Sequence, residues 1–321
     1  MSRQELPLQW PGQLPFDVEE EVAAGGPSLE EARASIQYLI DQALEHGSSK
    51  DLAEMLRQVA RFKQYSPTNA MYAQLQMPGA RFVLPPQTWE ERYQRRIVPG
   101  AQPIVILRPF APLMFVYDVT QTEPLEGAPT LPDAIEAPYR MPTMVGVERA
   151  LEGILRGAPL DFVRVAVVPQ GSQQAGCART TDGRQTQAVQ VKWRPEPVTE
   201  AVPVHYEVMV NQHLSPTERL STLAHELGHV YCGHIGTQDE RRWPGRGSTS
   251  TESAEIEAEA VAFLVAERLD QSVQMPPHLH QYVERDLPLP AVDVLRVMTA
   301  AGRILTMADG RLPPVPRERK A

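Results

Sequence analysis

Apolar positions along this chain recur in two rhythms, and the rhythm changes along its length. The first is helical. Ser28 and Glu31 form a capping box ahead of Ala32, Ile36, Tyr38, Leu39, Ile40 and Ala43, and Gly47 closes that helix. A second helix is expected over 51–62, with Leu52, Met55, Leu56, Val59 and Ala60 on one face, and a short one around 69–74. Between 81 and 119 the pattern turns to short β runs, RFVL, PIVILRP and MFVYDV, with turns at Pro78-Gly79 and Pro99-Gly100. Residues 122–142 carry five prolines and little periodicity, which reads as a linker.

The second half begins with a helix over 145–156 and a strand over 162–169. A flexible Gln/Gly stretch fills 170–186, and strands follow at 188–193 and 202–210. Ser215-Pro216-Thr217-Glu218 is a strong helix start: serine at the N-cap, proline in the first turn and glutamate at its third position. That helix is expected to run to Cys232, with Leu220, Leu223, Leu227 and Val230 as its burying face. Further helices are expected over 252–269 and 289–307. Residues 1–27, rich in Pro, Gly and Glu, read as disordered, and a Pro/Arg/Lys tail occupies 311–321.

Composition narrows the class without naming it. The chain has 321 residues, 42% of them hydrophobic and 22% charged, which suits a soluble globular protein of two domains. No apolar run approaches the roughly 20 residues that a membrane span requires, and the N-terminus lacks an apolar signal region. Two cysteines, Cys177 and Cys232, are too few for a disulfide framework and fit a reducing cytoplasm. The net charge of −9 argues against general affinity for nucleic acid. Residues 61–108 differ, with seven basic side chains against two acidic ones, a local +5.

The candidate chemistry lies in STLAHELGHVYCGH, residues 221–234. Residues four apart on a helix share a face, so His225 and His229 can offer two imidazoles to one metal ion. Glu226 lies beside them, in reach of a water on that ion, where it can act as general base for hydrolysis. The competing reading is an amphipathic helix that happens to carry histidines. The capped start, the apolar face and the mid-helix Gly228, which costs about 1 kcal/mol, favour the metal. A third ligand must come from elsewhere. In TESAEIEAEAVAFLVAERL, Glu255 and Glu259 share a face, while Glu257 lies about 160° around the helix and is expected to face solvent. Glu255 is the expected ligand and Glu259 a partner to a ligating histidine, with the reverse assignment open. Tyr206, Tyr231, His234, His278 and His280 are candidate donors to a transition-state oxyanion.

HELGH followed by E-x-E-A-E-A-V-A resembles the ImmA/IrrE family of metallopeptidases over roughly residues 145–270. The resemblance implies a zincin-like domain over 143–310, one zinc ion held by His225, His229 and Glu255, and Glu226 as general base. Its implied substrate is a protein, expected to be a cytoplasmic transcriptional regulator. The family's Asn and Phe positions hold Glu259 and Val261 here, which keeps Glu259 open as the ligand. Residues 28–121 resemble the N-terminal domain of ArdC antirestriction proteins at Tyr65, Ser66, Asn69, Trp89 and Gly100. Members of that family bind single-stranded DNA. Such a site wants cations along phosphates and aromatics under bases, which Arg61, Lys63, Arg81, Arg92, Arg95 and Arg96 with Tyr65, Asn69 and Trp89 would supply. The alternative for those aromatics is a place in the core. The expectation is an α+β protein of two domains: a zinc endopeptidase switched or placed by single-stranded DNA. The alternative is a DNA-binding antirestriction or protective protein with a structural metal.

Overall fold

A computed structural model describes residues 48–108, 111–132, 135, 146–169, 175–192, 196, 198–240, 242–269, 277–285, 287 and 290–311. The helix expected over 28–47, the disordered start and the tail beyond 311 lie outside the described residues. The architecture is α+β, with two compact units: one within Arg57–Met141, the other within Ser48–Leu56 and Pro142–Ala321. Helix α1 (Ser49–Arg61) has residues in both.

The first unit is small. Ser66 caps α2 (Pro67–Gln76) by accepting from the Asn69 N–H, and Pro67 fills the first turn where no donor is needed. A three-stranded antiparallel sheet has the order β1 (Val83–Leu84), β4 (Ala111–Asp118), β3 (Ile104–Arg108). The polar stretch around Trp89 is not extended: it forms helix α3 (Pro86–Tyr93), started by Pro86 and stopped at Gln94 in the left-handed region. β2 (Arg95–Ile97) then pairs antiparallel with β5 (Thr122–Pro124).

That pairing corrects the linker assigned to 122–142. Its first residues are a strand, and Leu131 and Ile135 pack into the core formed by Phe82, Leu84, Trp89, Tyr93 and Val119. Proline is tolerated there because Pro124 ends a two-stranded edge.

In the second unit, α4 (Val147–Gly157) leads through a 3₁₀ turn, Ala158–Asp161, into β6 (Val163–Val168). The main sheet has the order β6, β10 (Tyr206–Asn211), β7 (Gly176–Thr180), with β10 parallel to β6 and antiparallel to β7. β7 falls inside the stretch read as flexible. Its GCART sequence has no alternation to betray a strand, and only pairing with β10 reveals it. The strand expected over 202–210 splits at Val204-His205 into β9 (Val198–Pro203), which forms a hairpin with β8 (Thr186–Lys192), and β10.

Four helices complete the unit: α5 (Pro216–Tyr231), α6 (Thr251–Arg268), α7 (Pro277–Arg285) and α8 (Val294–Ala308). The start of α5 is as expected: Ser215 and Glu218 exchange both capping hydrogen bonds, and Leu220, Leu223, Leu227 and Val230 are fully buried.

One ion cluster ties the unit together. Asp161, fully buried at the end of the 3₁₀ turn, accepts from Tyr231 Oη at 3.1 Å and Arg303 Nε at 2.8 Å, and also pairs with Arg242. The turn before β6, the end of α5, the loop after it and α8 therefore meet on one carboxylate. Removing one member of a buried ionic cluster leaves its partners uncompensated. Asp161→Ala is expected to destabilise this unit by about 3–5 kcal/mol, read as a lower urea midpoint, whereas Arg311→Ala, on an exposed pair, leaves it unchanged within error.

Candidate metal centre

Three side chains from two helices converge beside β7. His225 and His229 stand one turn apart on α5, with their Nε2 atoms 3.1 Å from each other. Glu255, from the first turns of α6, brings Oε2 to 3.5 Å from His225 Nε2 and Oε1 to 3.6 Å from His229 Nε2. Ligands at zinc distances on a tetrahedron stand about 3.3 Å apart, so three corners of such a site are already spaced to hold the ion. The donor atoms lie within 4.8 Å of one another.

Their side chains are 25%, 13% and 31% exposed, so the cluster opens to solvent on one side, as a fourth position for water or substrate requires. Burial favours the neutral, ligating form of both imidazoles, with His229 pushed down to about 3 by burial first and then by the neighbouring His225 and His234.

Close approach of the helices makes this possible. A Cβ on Gly228 would stand 3.1 Å from the Ala258 Cα, tighter than ordinary contact, so glycine eases the approach of α5 to α6. Gly228 thus explains itself: the close neighbour is a helix backbone.

Glu226 lies just behind the three donors, nearly buried, and accepts a hydrogen bond from the Ala178 N–H of β7. Burial first, and the Glu255 charge second, raise its carboxyl to about 7. A divalent cation among the donors would oppose that shift by favouring the carboxylate.

Behind His229 runs a chain of polar contacts. His229 Nδ1 meets His234 Nδ1 at 3.0 Å, and His234 Nε2 meets Glu257 Oε2 at 2.8 Å. Arg246 grips the same Glu257 carboxylate with both ends of its guanidinium, and the Asp293 N–H donates to it at 2.8 Å. Gly233, at φ +79, turns the chain so that the His234 N–H reaches the His229 carbonyl and the ring folds back.

Glu257 is therefore fully buried, which corrects the expectation that it faces solvent. The signal was present: Ala254, Ala260, Val261 and Leu264, three, four and seven residues away, make its face the most apolar on α6. Cys232, His234 and Glu257 also lie close enough to hold an ion. With Glu257 already saturated by Arg246, His234 and a backbone donor, and burial keeping the Cys232 thiol protonated, that group is an ion-pair network.

Glu259 does not support a ligating histidine as expected. It accepts from His278 Nδ1 at 2.7 Å and from the His278 N–H at 3.0 Å, and it lies outside the three-donor group. Among the oxyanion candidates, Tyr206 donates to Thr237, Tyr231 to Asp161, and His280 pairs with Glu284.

The comparisons bear on this segment. Residues 183–270 match the family model of the IrrE N-terminal-like domain, Peptidase_M78. The Peptidase_M78 segment spans α5 and α6 and so contains all three donors, Glu226 and Glu257. Among solved structures, the chain is similar to the crystal structure of the antirestriction ArdC protein from the R388 plasmid, metal-free, with 13% identity over 77% of this chain and 83% of that one at a TM-score of 0.31. No curated protein matches.

The residues proposed for DNA in the first unit are placed differently from the expectation. Trp89 is fully buried, stacks obliquely on Tyr93 and donates Nε1 to the Tyr117 carbonyl. Asn69 both donates to and accepts from the Leu107 backbone, and Tyr65 donates to the Val83 carbonyl. Trp89 offers no face for a base to stack on, which corrects the reading of that residue, whereas Tyr65 and Asn69 are half-buried. Arg92 lies over the Tyr93 ring and Arg96 pairs with Glu123 at 2.6 Å. Arg95 is bound to Thr122, while Arg61 and Lys63 close α1 and follow it.

Two measurements follow. His234→Ala and Glu257→Gln are each expected to weaken zinc affinity 10–100-fold in chelator competition, because His229 loses the contact that orients it. Trp89→Ala is expected to cost about 3–5 kcal/mol of stability by urea unfolding, as a core ring does.

Proposed function

We propose that this chain is a zinc-dependent peptidase in which His225, His229 and Glu255 hold the metal and Glu226 is the general base. The observation that carries the reading is the three-donor cluster on α5 and α6, spaced for a tetrahedral ion and open on one side, with a nearly buried carboxylate directly behind it. The match of residues 183–270 to a peptidase family model supports the same chemistry.

Zinc bound there supplies Lewis acidity and acidifies water. Glu226 takes the proton from the attacking water and passes it to the departing amine. The Ala178 N–H fixes its carboxylate meanwhile. His234 and Glu257 hold the His229 ring in the orientation that leaves Nε2 free for the ion. The substrate on this reading is a protein, and the reaction is cleavage of a peptide bond within it. Both cysteines are free thiols, which suits a reducing cytoplasm and a regulator found there as the substrate.

The alternative of a purely structural ion fits less well. Structural zinc sites close all four positions with protein ligands, whereas among the described residues three donors converge here, on a partly exposed face. Placement by single-stranded DNA gains no support from Trp89, which is buried in the first unit's core.

The test is zinc content together with proteolysis of denatured casein. Wild type and Glu226→Gln are expected to hold one zinc each, with cleavage lost in Glu226→Gln. Glu255→Ala is expected to lose the metal and Glu259→Ala to keep it. A chelator should abolish cleavage and added zinc restore it. Zinc retained by Glu255→Ala but lost by Glu259→Ala would overturn the ligand assignment.

A further inference from the structure

The first unit holds a cavity of about 430 Å³ that no part of the peptidase reading uses. Two guanidinium groups, Arg81 and Arg95, and two hydroxyl residues, Thr120 and Thr122, line it. Leu131 and Ile135 give it an apolar wall.

We infer that this cavity is a binding site for a terminal phosphate group, free or carried on a small organic body. Neither guanidinium forms an ion pair among the described residues. Arg95 spends Nε on the Thr122 hydroxyl at 2.7 Å and Nη2 on the Thr122 carbonyl at 2.8 Å, both neutral acceptors. These bonds fix the side chain without pairing its charge with a carboxylate among the described residues. Burial disfavours that cation and lowers its pKa, as expected where a counter-charge is missing. The nearby carboxylate, Asp118, is buried and accepts from the Arg81 and Phe82 N–H groups and from the N–H and hydroxyl of Thr120; it pairs with neither guanidinium among the described residues, and two arginines against this one carboxylate leave the lining net positive.

A phosphomonoester carries a charge near −2 and three terminal oxygens, which suits two arginines better than a carboxylate does; the Thr120 and Thr122 hydroxyls already donate to Asp118 and the Val119 carbonyl, so the arginines supply the donors. The cavity volume falls within the roughly 300–1,000 Å³ of small-molecule sites, so an organic body can follow the phosphate along the apolar wall. A strand of nucleic acid would want a row of available cations and stacking faces. Here Arg96 is paired with Glu123, and Trp89 and Tyr93 are buried in the core. One pair of arginines suits one terminal phosphate.

Isothermal titration of the full chain at low ionic strength tests this, with thymidine 5′-monophosphate, inorganic phosphate, thymidine and an unphosphorylated oligothymidylate as probes. Saturable binding of either phosphate probe is expected, with thymidine at least tenfold weaker than its monophosphate. Arg81→Ala, an exposed side chain whose loss leaves the fold intact, and Arg95→Ala should each weaken the phosphate probes at least tenfold. Arg96→Ala should not. Thermal melts identify a variant that fails to fold, and Arg81→Ala remains informative if Arg95→Ala does. No saturable binding by folded wild type, or affinity unchanged in Arg81→Ala, overturns the proposal. So does tighter binding of the unphosphorylated strand with the same arginine dependence, which would mean recognition of backbone diesters.

Discussion

Gly228 brings the backbone of α5 against Ala258 on α6, and the rest of the candidate site depends on that approach. Two histidines on one helix can offer at most two ligands from one direction. A third donor at tetrahedral spacing must come from a neighbour close enough for a glutamate side chain to span the gap. A Cβ at 228 would press on the Ala258 backbone at 3.1 Å, so any other residue there requires the facing helix to yield by a few tenths of an ångström. The glycine costs helix propensity, and the buried surface between two tightly packed helices offsets that cost.

The same packing sets a second polar layer behind the first. Glu257 lies on the opposite side of α6 from Glu255, facing the core, where an unpaired carboxylate would be strongly disfavoured. Arg246, His234 and the Asp293 N–H compensate it, and His234 carries the network to His229. Orientation of a ligand and satisfaction of a buried charge are thus one arrangement. Asp161 does related work farther off, holding the end of α5 and the loop after it, from which Arg246 comes.

Much of this was legible in the chain. The capped start of α5, its burying face and the His225–Glu226–His229 triplet all follow from local pattern, because capping and helical periodicity act within a few residues. Glu255 was legible from its place on α6. Glu257 was misread because a run of glutamates was taken as one exposed face, when the apolar neighbours of each position had to be weighed separately. β7 was illegible, since an edge strand of small and polar residues takes its conformation from β10 alone. The first unit shows the reverse risk: the aromatics Trp89 and Tyr65 sit in a basic stretch, yet each donates to a backbone carbonyl of the unit, and Trp89 is in its core. Composition could not separate a stacking platform from a small core, because both want rings beside cations.

Charge compensation offers a criterion that separates the two units' functional surfaces. Near the metal cluster, most strongly buried charges have a partner of opposite sign: Glu257 with Arg246, Asp161 with Arg242 and Arg303, Glu207 with Arg164 and Arg179. Glu226 and Glu255 are the exceptions in that they face neutral imidazoles and each other, so the negative charge there is in excess by construction. In the first unit the excess is positive and sits at Arg81 and Arg95. On the two readings proposed above, a cation would offset the negative charge at the three-donor cluster and an anion the positive charge at Arg81 and Arg95.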